Sequence, residues 1–425
     1  MDGGAMRPEL LHTVRSYSRP LFIADLFAGV SVAMVALPLS LAIAIASGAR
    51  PGDGLVTAVV AGFLISALGG SKVQIGGPTG AFIVVVYGVI AAHGYDGLVL
   101  AAFMAGLILL AAGLLRAGNL IQFVPEPVVN GFTIGIAAII ATSQIKDIFG
   151  LTTDHLPADF LEKLPVLWAA RGTLNPAALA VGLATMTLIV ALRRTLPRWP
   201  GLIIAVALTS GAVALFDLPV ETISDRFGAL PDSLPAPRLP AFDLARITEL
   251  LPSAIVIAFL AGVESLLSAI VADRLHDSTH RPNAELMAQG WANLASALFG
   301  GLPATGAIAR TATSIRAGAQ TPVAGMIHAA TLLAFVYLAA PLAGYLAMPA
   351  LAGLLMLTAW GMSEPHHWPH YLRLRLADKM LLILTMVLTL VVDLTVAIGV
   401  GVALGLAIRL RRRNVPPAEW ETPDR

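Results

Sequence analysis

Long stretches of apolar residues, separated by short polar or glycine-rich segments, run through most of this chain. A helix needs about 20 mostly apolar residues to cross the hydrocarbon core of a bilayer. Hydrophobic residues make up 57% of the chain and charged residues 12%, whereas soluble globular proteins have about 45–50% and about 25%. The sequence therefore predicts an integral membrane protein and argues against a soluble enzyme or a disordered chain.

The apolar stretches predict an all-α membrane protein with fourteen transmembrane segments. They lie at 22–46, 55–69, 78–92, 97–115, 127–147, 176–192, 201–216, 252–271, 285–300, 306–317, 323–340, 344–359, 379–394 and 395–411. Segments 3 and 10 are short, and each follows a break rich in Gly and Pro, which predicts a half-helix preceded by extended chain. Residues 1–20 are then a cytoplasmic segment, 21–411 the transmembrane domain and 412–425 a cytoplasmic tail.

Charged residues between the segments predict the orientation of the chain in the membrane. Lys and Arg fall nearly three times as often on the side of the N-terminus as on the other side. Cytoplasmic loops carry the excess of basic residues. We therefore expect a multi-pass protein of the bacterial plasma membrane with both termini in the cytoplasm and long external loops near 148–175 and 217–250.

The two halves of the chain echo one another. Thr-Gly-Ala occurs at 79–81, at the start of segment 3, and at 305–307, at the start of segment 10, which is the third segment of its half. Because each half holds seven segments, an odd number, the second copy would be inverted. Paired Gly/Pro-interrupted segments at matching positions are typical of transporter binding sites, although two coincidental glycine-rich turns would leave the same letters.

An inverted repeat would bring the N-termini of the two half-helices together. Each N-terminus carries unpaired N–H groups and a partial positive charge, which together favour an anion. The threonine hydroxyls could donate to the anion or cap the helices. The predicted backbone donors are Thr79, Gly80, Ala81, Thr305, Gly306 and Ala307.

Two charged residues lie deep in the apolar segments. Arg310 lies one turn into segment 10, where a charge needs a partner or a hydrated cavity, so it either binds the anion or forms an internal salt bridge. Glu264 is the deepest acid that the sequence indicates, and Ser268 lies one turn further along segment 8. An acid in that position suits proton coupling, while the acid with the hydroxyl could hold Na⁺. A Glu264–Arg310 ion pair is the structural alternative.

Other features argue against catalysis and metal binding. The chain has no Cys and no P-loop motif, and its net charge of +1 gives no basic field for nucleic acid. His366, His367 and His370 lie in a proline-rich loop without metal-ligand spacing. We interpret His328 as a packed residue and expect Pro38 to break or kink the first segment. We thus predict no enzyme, no catalytic residue, no bound metal and no cofactor, with a proton or Na⁺ as the coupling ion.

Several ordered motifs resemble the SulP sulfate-permease family, which includes the prestin-type anion exchangers of animals. They are DLFAG at 25–29 with ALPLSLA at 36–42, PEPVVNGFT at 125–133, and NAELMAQG at 283–290, followed by Asn293, Gly300, Pro303, Arg310 and Thr311. The resemblance implies a seven-plus-seven inverted repeat shared with uracil-type permeases. It implies a core of segments 1–4 and 8–11, at about 21–116 and 252–340, and a gate of segments 5–7 and 12–14, at about 125–216 and 344–411.

The same resemblance implies where an anion binds. Family anions bind between segments 3 and 10, at positions that match Leu39, Ile43, Thr79, Ala309 and Arg310. Glu264 and Ser268 match an acid and a hydroxyl that help to hold sodium in Na⁺-coupled bicarbonate relatives.

The chain departs from the family pattern in three ways. Ala309 replaces the usual serine before the arginine, and Thr79 and Ile43 stand where relatives often have aromatic residues, so the site would be roomier. Most members carry a cytoplasmic STAS domain after the last segment, which in relatives assists a homodimer. No STAS domain is present in this chain, whether absent from the protein or removed, and a homodimer stays an open alternative.

These inferences predict a secondary active transporter of a small anion: a dicarboxylate such as fumarate, bicarbonate or sulfate. We favour proton-coupled symport by alternating access, with the anion and the lipid bilayer as the only expected partners. A Na⁺-coupled bicarbonate symporter, an anion exchanger, a passive anion channel and a nucleobase permease are the alternatives.

Overall fold

The computed structural model describes residues 6–119, 125–153, 156–196, 199–392 and 394–411. The predicted tail at 412–425 lies outside the described residues. Within them the chain is almost entirely helical. The helices are α1 Leu10–Thr13, α2 Arg19–Ala46, α3 Pro51–Leu68, α4 Ile83–Leu114, α5 Glu126–Ile148, α6 Phe160–Ala169, α7 Pro176–Thr195, α8 Gly201–Leu215, α9 Ile223–Phe227, α10 Leu244–His276, α11 Pro282–Leu298, α12 Ile308–Arg316, α13 Val323–Ala343, α14 Met348–Met362, α15 Trp368–Tyr371, α16 Leu376–Val391 and α17 Leu394–Arg411.

The remaining regular elements are short. Two strands, β1 Gly76–Gly77 and β2 Thr305–Gly306, form one antiparallel pair, and 3₁₀ turns occupy Gly80–Phe82, Ala170–Thr173 and Pro365–His367.

Seven helices of the described chain are long and apolar enough to cross a membrane. They are α2, α3, α4 with its preceding turn, α5, α7, α10 and α13. The prediction of a mostly helical membrane protein is therefore confirmed. The other predicted segments are helices too, but several are shorter than a full crossing, such as the nine residues of α12. The fourteen-segment arrangement in two repeats stays a prediction.

The structure locates several predicted boundaries. The predicted division between segments 3 and 4 falls at a kink inside α4, at Gly94, whose φ of 72° needs a residue without a side chain. Helix α10 begins at Leu244, inside the predicted external loop at 217–250. The other predicted loop, at 148–175, contains α6. The apolar pattern did not indicate these helical residues, because the start of α10 and the whole of α6 include polar and charged residues.

Pro38 does not break the first segment. Helix α2 runs uninterrupted from Arg19 to Ala46, with Pro38 in its interior. A proline removes one backbone hydrogen bond and crowds the carbonyl four residues earlier, and membrane helices tolerate this because neighbouring groups can satisfy the freed carbonyl. The predicted interruption of this segment is therefore wrong.

Close helix contacts at glycine hold the bundle together. A methyl group on Gly106 of α4 would lie 2.9 Å from the Gly290 carbonyl oxygen of α11, and one on Gly29 of α2 would lie 2.5 Å from the Ala324 oxygen of α13. Small residues let membrane helices approach to backbone contact. Side chains at these glycines would force α11 away from α4 and α13 away from α2.

The two Gly/Pro breaks meet in the interior. Gly76 pairs with Gly306 and Gly77 with Thr305, and the Ala307 N–H donates to the Ile75 carbonyl at 2.8 Å. Backbone groups inside a membrane protein must be satisfied internally, and this ladder does so where neither chain is helical. The extended chain that the sequence predicts before segments 3 and 10 is therefore present.

A side chain of α11 satisfies the backbone groups of Ala304, the residue before β2. The Asn293 amide donates to the Ala304 carbonyl at 2.9 Å, and its oxygen accepts the Ala304 N–H at 2.9 Å. Asn293 thus acts as a substitute strand partner next to β2.

The predicted orientation can be tested with a single cysteine, because the chain has none. Asp232 is exposed in the loop before α10. We expect Asp232→Cys to react with a membrane-impermeant thiol reagent added outside intact cells. Arg373→Cys, exposed in a loop predicted to be cytoplasmic, is the matched control and should react only after permeabilisation. The reverse pattern would reject the orientation.

Candidate functional site

The β1–β2 ladder places two helix N-termini around one small region. The chain leaves β1 through Thr79 into the turn at Gly80–Phe82 and α4, and it leaves β2 through Ala307 into α12. Since the strands are antiparallel, the two helices start at opposite ends of the ladder, and both positive ends face it. This is the geometry that the sequence predicts for an anion site.

Arg310 lies directly beside this ladder. Its side chain is only 2% exposed, its Nη2 donates to the Pro78 carbonyl, and a methyl group on Gly77 would lie 2.6 Å from its Nη1. Gly77 has a φ of 145° and leaves space for the guanidinium. Nε and Nη1 have no hydrogen-bond partner within the described residues. A buried cationic group with two unpartnered donor nitrogens is suited to an anionic ligand.

Glu264 of α10 lies on the opposite side of the same region. The Thr79 hydroxyl donates to Glu264 Oε2 at 2.9 Å. Glu264 and Arg310, both described, are not within ion-pair distance of each other, so the predicted direct ion pair is not formed. Glu264 is partly exposed, although Val263 and Ser265 beside it are buried. The acid therefore faces a space that solvent can reach.

Ser268 makes no hydrogen bond to Glu264, although both are described residues of α10. Its hydroxyl lies 3.2 Å from the Thr311 hydroxyl, which accepts the Ile75 N–H at 3.0 Å. Ser268 thus links α10 to α12 and to the chain before β1. Its role as a sodium ligand stays a prediction.

The predicted N–H donors have different environments. Thr305 lies in β2, and its hydroxyl donates to the Ala261 carbonyl at 2.8 Å. The Ala307 N–H is occupied by Ile75, so it is not free for a ligand in this structure, and Gly306 belongs to the ladder. Thr79 makes no side-chain cap to the turn that it begins; its hydroxyl donates to Glu264.

The first half-helix keeps its start close to two other helices. A methyl group on Gly80 would lie 2.9 Å from Met362 Sδ of α14 and 3.7 Å from Ile140 Cδ1 of α5. Gly80 and the following Ala81 are both buried. Met362 had no signal in the sequence, since a methionine near a helix end is unremarkable.

Residues of α2 and α12 that the sequence assigns to the site differ in exposure. Leu39 and Ile43 lie one turn apart on α2; Leu39 is partly exposed and Ile43 is buried. Ala309, beside Arg310, is exposed. Their role in binding an anion stays a prediction.

A buried polar network next to β1, which the sequence analysis did not predict, supports the ladder. Gln74 donates to the Ser265 hydroxyl at 2.9 Å, and that hydroxyl donates to Glu285 Oε1 at 3.1 Å. Glu285 also accepts from Gln289 at 3.0 Å and from the Gly70 N–H at 3.0 Å. Glu285 near the start of α11 and Asp25 near the start of α2 are both fully buried, so Glu264 is not the most buried acid of the described chain. The sequence signal that could have revealed this network is the presence of Gln74, Glu285 and Gln289 in or beside apolar stretches.

The described chain offers little sign of histidine chemistry or of a metal site. His328 is fully buried on α13, and neither ring nitrogen has a hydrogen-bond partner among the described residues. The part of the chain that the structure describes contains no group of three or more His, Cys, Asp or Glu residues arranged to hold a metal ion.

Comparison with known sequences identifies relatives over most of the chain. The profile of the sulfate permease family matches residues 22–385. YvdB of Bacillus subtilis strain 168, whose name assigns it provisionally to sulfate transport, is 42% identical over 372 residues, which are 87% of this chain and 70% of YvdB. The bicarbonate transporter BicA of Picosynechococcus is 32% identical over 346 residues, which are 78% of this chain and 60% of BicA. The chain thus spans only part of these relatives.

Solved structures share the fold. The transmembrane domain of a cyanobacterial BicA superposes with a TM-score of 0.80 at 31% identity, covering 88% of this chain and 97% of that domain. SLC26A9 gives a TM-score of 0.85 at 17% identity, covering 96% of this chain and 68% of SLC26A9. The resemblance that the motifs indicated is confirmed, and the chain belongs to the sulfate permease (SulP) family.

Proposed function

We propose that this protein is a secondary active transporter of a small anion. The observation that carries the proposal is the buried guanidinium of Arg310, whose Nε and Nη1 have no partner within the described residues and which lies beside two converging helix N-termini. A neutral substrate would leave that charge uncompensated in the membrane interior. An anion would compensate the charge and use the free donors.

The site suits a small oxyanion: sulfate, bicarbonate or a short dicarboxylate such as fumarate. The names of the relatives include both sulfate and bicarbonate transporters, so family membership alone does not choose among them. Ala309 provides no hydroxyl and is exposed, and a small side chain beside Arg310 would leave room for a larger anion. The charge of Arg310 disfavours the alternative of a nucleobase substrate.

We propose proton-coupled symport by alternating access, with Glu264 as the coupling residue. The acid is partly exposed, and its hydrogen-bond partner among the described residues is the Thr79 hydroxyl, an arrangement that would let it exchange a proton with the aqueous side. Helices of the core would move against those of the gate to expose the site to either side. Sodium coupling through Glu264 and Ser268, or anion exchange without a coupling ion, are the alternatives.

Reconstituted transport distinguishes these functions. Purified protein in proteoliposomes should accumulate at least one of sulfate, bicarbonate and fumarate when an inward proton gradient is imposed. Accumulation that needs a sodium gradient would replace proton coupling by sodium coupling, and uptake only against internal anion would indicate an exchanger. Downhill flux without any coupled movement would support a channel, and no flux of any of the three anions would reject the proposed substrate class.

A further inference from the structure

A lysine outside the membrane-spanning helices is buried. Lys163 lies on α6, in the segment between α5 and α7, and its exposed fraction is 3%. Its neighbours Glu162 and Leu164 are exposed. Lysine is almost never fully buried unless it is paired, so this side chain needs an explanation.

The protein gives the Lys163 ammonium few partners. Its Nζ donates to the Ser143 hydroxyl of α5 at 2.9 Å and lies 5.8 Å from the centre of the Tyr87 ring of α4. No carboxylate of the described chain forms an ion pair with it, and the nearest acid that influences it is the exposed Asp159. Burial lowers the pKa of Lys163 to about 8, with the Asp159 charge acting in the opposite direction. The charge is therefore only partly compensated by the protein.

The chain next to Lys163 is fastened to α4. The Tyr87 hydroxyl donates to the Leu156 carbonyl at 2.7 Å. The segment that carries Lys163 thus covers the end of α4 and reaches α5 at the same time. In the domain division that the family resemblance implies, Tyr87 belongs to the core and Ser143 to the gate.

A small cavity lies directly beneath Lys163. Its volume is about 10 Å³, roughly the room for one water molecule. The lining includes Ala46, Ile83, Ile139 and Ser143 as well as Lys163 itself. Helices α2, α4 and α5 therefore all contribute to its wall.

The cavity lies in line with the candidate anion site. On each of three chain segments a lining residue follows a residue at or beside the predicted site by three positions, a rise of about 4.5 Å along an α-helix. These pairs are Ala46 after Ile43, Ile83 after Gly80, and Ser143 after Ile140. The cavity thus lies about one turn further along the chain than Ile43, Gly80 and Ile140 on all three segments.

We propose that Lys163 is the outer gate of the anion pathway and the first cationic contact for an anion that arrives from the external side. In the closed arrangement its ammonium holds Ser143 and Tyr87 together above the cavity. When α4 and α5 separate, the ammonium loses both contacts and is free to bind a small anion before it reaches Arg310. This inference rests on the proposed transport function.

Two variants separate the gate from the anion contact. Lys163→Met removes both the hydrogen bond to Ser143 and the charge, whereas Ser143→Ala removes the hydrogen-bond acceptor and keeps the charge. Lys146→Met, a partly exposed lysine at the end of α5, is the matched control. Each is combined with Ala46→Cys, because the chain has no other cysteine.

Labelling of Ala46→Cys by an impermeant thiol reagent added outside reports the state of the gate. We expect Lys163→Met and Ser143→Ala to increase the labelling rate several-fold, about tenfold for the loss of a charge-assisted hydrogen bond, and Lys146→Met to leave it unchanged. Sulfate, bicarbonate and fumarate uptake into right-side-out vesicles reports the anion contact. Lys163→Met should raise the external KM about tenfold, while Ser143→Ala should leave it near that of the parent.

A failure of the gate inference can be distinguished from a failure of the proposed transport function. Unchanged labelling and unchanged external KM in Lys163→Met would overturn the inference while leaving anion transport intact. If the parent transports none of the three anions, the proposed substrate class fails, and the labelling rates still decide whether Lys163 holds this end closed. If Lys163→Met does not fold, Lys163→Arg replaces it: retained charge with altered hydrogen-bond geometry should speed labelling and keep the KM, and no change in labelling would reject the gate.

Discussion

Arg310→Ala should bind the transported anion about 10–100-fold more weakly than the parent protein. Nε and Nη1 are buried without partners among the described residues, and losing a hydrogen bond to a charged group costs about 1.5–3 kcal/mol. The bond from Nη2 to the Pro78 carbonyl is also lost, so some destabilisation will accompany the loss of affinity. Isothermal titration or competition uptake with the purified variant measures the affinity, and a thermal melt measures the fold.

Arg316→Ala is the matched control for this experiment. Arg316 lies on the same helix but is exposed and hydrogen-bonds only within α12. Its removal should change neither affinity nor transport. A folded Arg310→Ala protein that binds the anion as the parent does would make the arginine structural. If Arg310→Ala does not fold, Arg310→Lys keeps the charge without the planar donor geometry, and we expect a smaller but measurable loss of affinity.

Glu264→Gln should abolish uphill transport driven by a proton gradient. A carboxylate and an arriving anion repel each other in one cavity, and a bound proton removes that repulsion, so proton and anion bind with positive linkage, which is reciprocal. Uptake by the parent should therefore rise as external pH falls, by at most about tenfold per pH unit for one coupled proton. The glutamine resembles the protonated acid and can still accept the bond from Thr79. The variant should bind anion with little pH dependence.

Proteoliposomes with imposed pH gradients measure this prediction. Exchange of internal for external anion should survive in Glu264→Gln, which shows that the binding site is intact. Glu249→Gln, an exposed acid on the same helix, is the control and should retain pH-driven accumulation. Accumulation by Glu264→Gln at the level of the parent would contradict the assignment, and a strict sodium requirement in the parent would instead support a sodium site at Glu264 and Ser268.

Local sequence signals were sufficient for the class of protein and for the position of its breaks. Apolar stretches located most helices, since the hydrocarbon core selects continuous apolar segments. They failed where a helix continues into polar residues, as at Leu244, and where a proline is tolerated within a helix, as at Pro38. The glycine- and proline-containing breaks were recognised because no helix can incorporate several such residues at low cost.

The candidate site was predicted in outline, with its contacts unresolved. Arg310 and Glu264 stood out as charges in apolar segments, and the motifs indicated that they would be neighbours. The sequence offered an ion pair between them. In the structure Glu264 instead accepts a hydrogen bond from the Thr79 hydroxyl, and Arg310 donates one to the Pro78 carbonyl. Those choices depend on distances of a few ångströms that segment order does not define.

The sequence by itself determined a helical membrane protein, two interrupted segments and the charges that the membrane interior must accommodate, because hydropathy and backbone propensity are properties of neighbouring residues. Only the tertiary structure decided that the breaks pair as strands, that a buried network around Glu285 supports them, and that Lys163 is covered by α4 and α5. These contacts join residues far apart in the chain, such as Thr79 and Glu264, which are 185 positions apart. Their partners follow from how the helices pack, and local pattern carries no record of that packing.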